Sequence, residues 1–120
     1  MNREPTMCGN PGPIAGNPPW AGADGKDGNM SEYRDSLLRR LTEFAVRVIH
    51  MVRCLPKDAA GWTLGRQVVR SSTSIVGNLE EAFGSCTRKD FLNKYATARK
   101  EARETYRWLL IIAEAGLLPR

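Results

Sequence analysis

Apolar residues recur three or four positions apart in three successive runs, the spacing of one face of a helix. In the first run, Leu37, Leu38, Leu41, Phe44, Ala45, Val48, Ile49, Val52 and Leu55 form the stripe. Arg39, Arg40, Glu43, Arg47 and Arg53 take the other face. The run predicts a helix that starts after Ser31, a good N-cap with Glu32 favourable in the first turn. It stops at Pro56, which cannot continue the hydrogen-bond ladder. In the second run, at roughly 100° per residue, Leu64, Val68, Ile75, Leu79 and Ala82 fall on one side. Val69, Val76 and Phe83 recur beside them, so the apolar arc is broad and needs neighbours on at least two sides. This helix is predicted to start at Thr63 and end at Gly84. The third run starts at Thr87, an N-cap candidate with Asp90 three positions on, and closes at Gly116. Its predicted buried stripe is Phe91, Tyr95, Ala98, Ala102, Tyr106, Leu109 and Ile112. From Trp108 to Ala113 it is apolar nearly all round, which calls for cover on more than one side.

Short connectors make consecutive helices antiparallel neighbours. The fold class read from the pattern is all-α, an antiparallel up-down helical bundle of three long helices over residues 31–120. Residues 1–30 differ: they hold six glycines and five prolines with no apolar period. Such a segment cannot bury enough surface to offset its ordering entropy, so it is read as a disordered tail. It is also read as non-native, with translation starting at Met30. Lys26-Asp27 can be encoded by a ribosome-binding-like AAGGA a few nucleotides ahead of the Met30 codon, and such leaders are set aside from fold reasoning.

Composition narrows the function classes. The chain has 120 residues and a net charge of +5, which permits an anionic partner without requiring one. Cys8, Cys54 and Cys86 are odd in number with no C-x-x-C spacing, which points away from a disulfide framework or zinc knuckle and toward a reducing cytoplasm. The apolar run Trp108–Ala113 is too short to span a membrane, and no signal peptide opens the chain.

Candidate chemistry lies on the second and third helices. Arg70-Ser71-Ser72-Thr73-Ser74 places hydroxyls within and beside the apolar arc, where they allow close helix approach and bond back to the preceding turn. The competing reading is a phosphate-facing stripe with Arg66 and Arg70. Lys94 borders the buried stripe of the third helix and is expected to meet a glutamate, with Glu81 the candidate across the bundle. Glu101 and Glu104 complete that set, with Lys100 a local partner for Glu104. The lone histidine, His50, falls on the polar side of the first helix. It has no Glu-x-x-His motif and no nucleophile partner, so neither a metal, a cofactor nor a catalytic residue is assigned. Arg99, Arg103 and Arg107 recur every four residues, with Lys89 and Lys100 nearby and Arg40 and Arg47 on the first helix. Without the tail, which carries two basic and three acidic residues, the remainder is +6. A solvated basic face competes here with contacts to a phosphate backbone.

Several segments carry a family resemblance: Leu55-Pro56-Lys57, Leu64-Gly65-Arg66-Gln67, Arg70-Ser71-Ser72-Thr73-Ser74-Ile75, Asn78, Glu81-Ala82, and Lys89-Asp90-Phe91 with Lys94. Lys100-Glu101-Ala102, Glu104-Thr105, Trp108-Leu109 and Glu114-Ala115-Gly116 extend it. In order and spacing these resemble the bacterial four helix bundle family of proteins encoded in 23S rRNA intervening sequences, and are similar to the accessory proteins of diversity-generating retroelements. The resemblance implies a four-helix up-down bundle that assembles into a homopentamer. For the retroelement relatives it implies a basic surface for nucleic acid and a reverse transcriptase. It also implies that Arg70, Ser74, Asn78, Glu81, Lys94, Glu101 and Glu104 form a polar set that stabilises the bundle. The family's fourth helix would follow Gly116, so a chain that stops at Arg120 is expected to lack it.

The expected function is therefore a non-enzymatic, oligomeric RNA- or DNA-binding protein, serving an rRNA element or a reverse transcriptase. The interface residues would be Arg40, Arg47, Arg66, Arg70, Lys89, Arg99, Lys100, Arg103 and Arg107. The alternative is a structural or protein-interaction module without a nucleic-acid partner.

Overall fold

The computed structural model describes residues 27–119, with side chains from Ser31 onward. Of the tail read over residues 1–30, residues 1–26 lie outside the described residues, and 27–30 are helical, the start of the first helix. Three helices follow one another: α1 (Asp27–Val52), α2 (Ala59–Phe83) and α3 (Arg88–Glu114). Val48 of α1 and Ile112 of α3 both pack with Val68 of α2. Yet no Cα of α1 comes within 8 Å of one in α3. The bundle is thus a layer with α2 in the middle, as the breadth of its apolar arc requires.

The helix boundaries show where local signals compete. α1 already runs through Ser31, so that residue is not its N-cap. At the other end α1 stops at Val52, earlier than Pro56 alone dictates. Cys54 and Leu55 donate to carbonyls three residues back, at 2.9 and 3.0 Å, a tightened exit before a proline that disfavours helical geometry in Leu55. Leu55 leaves the helix but is buried.

α2 begins at Ala59, so Thr63 lies inside it rather than capping it. The cap is Asp58, whose Oδ1 accepts from Gly61 N at 2.9 Å. Asp58→Ala is expected to cost about 1 kcal/mol, the usual loss for an N-cap, read as a lower urea midpoint with an unchanged slope. α3 starts as the sequence indicates, with Thr87 Oγ1 accepting from Asp90 N at 3.0 Å. Gly84 follows α2, and Gly116 ends the turn after α3 at φ +68°, a left-handed conformation that favours glycine.

Two apolar clusters form the core. One gathers Val48, Leu55, Val68 and Ile112, flanked by Trp108, Leu117 and Leu118. The other gathers Ile75, Leu79 and Ala98, flanked by Leu37, Leu38, Leu41 and Phe83. Along α2 they are separated by Ser71 and Ser72, both fully buried, and along α3 by buried Thr105. Thr105 Oγ1 lies 2.7 Å from Ser71 Oγ and 2.8 Å from the Glu101 carbonyl. The pair carries enough protons to bridge the hydroxyls and still reach a main-chain carbonyl, so this polar layer is internally satisfied.

That layer corrects the predicted stripe of α3. Ala98 and Ile112 are buried as expected and Phe91 and Leu109 partly so, but Ala102 is exposed and Tyr95 and Tyr106 are 46% and 63% exposed. The inward line runs through Ala98, Glu101, Thr105, Trp108 and Ile112. A helix that meets serines turns a threonine inward in place of a bulky tyrosine. The all-round apolar run is covered unevenly, since Ile112 is buried while Ile111 is 40% exposed.

Candidate nucleic-acid interface

The basic residues of α3 lie on its outer face. Arg99, Lys100, Arg103 and Arg107 are exposed, as is Lys89 in the first turn. Spacing of four residues sets the three arginines one turn apart, about 6 Å along the axis. Among the described residues none of these five enters an ion pair. Arg107 keeps its guanidinium 5.9 Å from the Tyr106 ring centroid, which fixes one end of the row. Lys100 does not hold Glu104 as its spacing suggests. The Glu104 carboxylate reaches across to Arg70 on α2, which leaves Lys100 uncompensated.

Arg40 and Arg47 are exposed on α1, on the far side of α2 from α3, so the structure does not join them to the α3 row. Arg66 is exposed in the second turn of α2. Arg70 differs from the rest because its guanidinium is engaged. Nη1 lies 3.2 Å from Glu101 Oε1, Nη2 pairs with Glu104, and Nε donates to Gln67 Oε1 at 3.3 Å. The hydrogen bond to Glu104, followed by the attraction of both carboxylates, raises its pKa above the ordinary arginine value.

The remaining polar residues tie helices together. Lys94 Nζ sits 2.7 Å from Glu81 Oε1, the pairing anticipated across α2 and α3, and Glu81 raises the lysine pKa. Both members are largely exposed, so the pair fixes register more than it adds stability. Asn78 Nδ2 donates to the Ser74 carbonyl at 2.9 Å and lies 3.0 Å from Ser74 Oγ, a local bond within α2. Ser71 and Ser72 hydroxyls point back to the Val68 and Val69 carbonyls at 3.4 and 3.3 Å, which keeps α2 slim where α3 meets it.

Two features escaped sequence reasoning. Arg34 is buried, with its guanidinium 5.9 Å from the Phe83 centroid. Its signal was positional: it precedes Leu37, Leu38 and Leu41 at helical spacing and so continues the apolar stripe. Thr105 was equally legible in principle, midway between Ala98 and Ile112 at seven-residue spacing.

His50 is exposed, and no group of three or more His, Cys, Asp or Glu among the described residues is placed to hold a metal. Cys54 is a free surface thiol. No helix of the described residues is long and apolar enough to cross a membrane.

Comparison with curated proteins and with solved structures finds no match. A family model does match, that of the 23S rRNA-intervening sequence protein, over residues 36–120. That span takes in all of α2 and α3 and most of α1. With the all-α layer of three helices, it places the chain in the 23S rRNA-intervening sequence protein family.

Proposed function

We propose that the protein is a non-enzymatic, cytoplasmic helical-bundle protein that binds RNA or DNA through the phosphate backbone. It works as an oligomer, the homopentamer implied by the family resemblance, and serves an rRNA element or a reverse transcriptase. The observation that carries this reading is the row of Arg99, Arg103 and Arg107 with Lys100 on α3. These are outward cations that no carboxylate among the described residues neutralises. The neighbouring Arg70 shows the contrast, since two glutamates are spent on that one arginine and none on the row. Unspecific backbone contact needs little more than such a row, and symmetry multiplies it.

A second reading is a protein-interaction module. It is favoured by Leu92, Tyr95, Tyr106 and Ile111, large apolar side chains that α3 leaves at least 40% exposed. Binding of a generic duplex RNA across a salt series separates the two, with sedimentation velocity on the same samples. The first reading expects log K to fall linearly with log salt. An oligomer that binds no RNA at low salt would instead support the interaction module.

A further inference from the structure

The start of α2 holds an exposed aromatic between two buried glycines. Trp62 is 58% exposed, while Gly61 and Gly65 on either side are buried. The glycines draw α2 onto the end of α1. A Cβ on Gly61 would lie 1.9 Å from the Pro56 carbonyl oxygen, and one on Gly65 would lie 2.9 Å from Val52 Cγ1. Trp62 gains nothing from this approach. Its indole makes no hydrogen bond or ring contact among the described residues, and a large ring left in water forgoes the stabilisation that burial would give.

Beside Trp62 lies a cavity of about 130 Å³, with Val52, Leu55 and Pro56 on its apolar side and Lys57 and Arg66 among its walls. No acidic residue lines it. Asp58, next in the chain to Lys57, is engaged in capping Gly61. Lys57 and Arg66 are exposed and form no ion pair among the described residues. Two cations therefore line the space, with no carboxylate among its walls. An apolar cavity of roughly 150 Å³ takes up one benzene ring, so the space suits a single planar ring and is too small for a helix.

We propose that Trp62, Lys57 and Arg66 form a site for one unpaired nucleotide of single-stranded RNA or DNA. The base stacks on the indole at the cavity mouth, and its phosphate is held by the two cations. A duplex keeps its base faces stacked and cannot use the site, so the site discriminates strandedness where the α3 row does not. The inference rests on the reading of the protein as a nucleic-acid binder.

The test compares single-stranded oligouridine with a mixed-sequence RNA duplex of equal length, by fluorescence anisotropy on the full chain. Trp62→Ala is expected to weaken oligouridine binding about tenfold, the scale of one lost stacking contact, and to leave duplex binding unchanged. Trp62→Phe keeps an aromatic face and is expected to retain most of the affinity. Equal loss on both ligands, no loss on oligouridine, or a Trp62→Phe variant as weak as Trp62→Ala overturns the site. If the parent protein binds neither ligand, the nucleic-acid reading fails first. If it binds both and Trp62→Ala changes nothing, the site alone fails.

Discussion

Gly61→Ala is expected to lower the unfolding free energy by about 3 kcal/mol, the upper range for forcing an extra methyl into a filled space. The added Cβ would sit 1.9 Å from the Pro56 carbonyl oxygen and 2.9 Å from its carbon. The obstacle is main chain, so no side chain can swing aside. Pro56 has a fixed φ, and the connector from Arg53 to Asp58 is short. Relief must come from moving the first turn of α2, which disturbs buried Leu55 and the Gly65–Val52 contact. Gly77 supplies the control within the same helix. It is exposed and a Cβ there meets nothing within 4 Å, so Gly77→Ala is expected to stabilise by about 0.5–1 kcal/mol through helix propensity. Urea midpoints of the two variants should move in opposite directions with similar slopes. A Gly61→Ala midpoint matching the parent's would mean that α2 does not approach the α1 exit this closely.

The same contact explains what was legible in the sequence and what was not. The existence and order of the helices follow from apolar spacing alone, and α3's start from Thr87 with Asp90, because those signals are local. The start of α2 is not local. Asp58 and Thr63 are both good caps, and Gly61 reads as a break between them. Only the approach to Pro56 shows why a glycine sits inside the first turn. The inward line of α3 fails for a related reason. Hydropathy favours Tyr106 over Thr105, but the facing residue is Ser71, and a hydroxyl is the better neighbour for a hydroxyl. Charge behaved likewise. Lys94 with Glu81 could be anticipated, while Glu104 had a neighbour in Lys100 along its own helix and turned to Arg70 instead. For the interface, outward arginines on α3 were readable from the period. That Arg70 is engaged and the α3 row is not could be read only from the packed helices.

Replacing Arg99, Arg103 and Arg107 together with alanine is expected to weaken duplex RNA binding on the order of a hundredfold at physiological salt. Each arginine that meets a phosphate releases close to one counterion, so the slope of log K against log salt should flatten by about 2–3 if all three engage one duplex. The fold should tolerate the change: the three side chains are exposed, carry no carboxylate partner, and give way to the best helix former. Circular dichroism and the urea midpoint should therefore match the parent's, which separates lost binding from lost structure. The size of the slope change also reports geometry. A loss near three is the footprint of one α3 row, whereas a larger loss requires rows from more than one copy on the same duplex, as in a symmetric assembly. A slope unchanged by the triple substitution would remove the arginine row of α3 from the interface and shift any binding to other outward cations, among them Arg40 and Arg47 of α1 and Arg66 of α2.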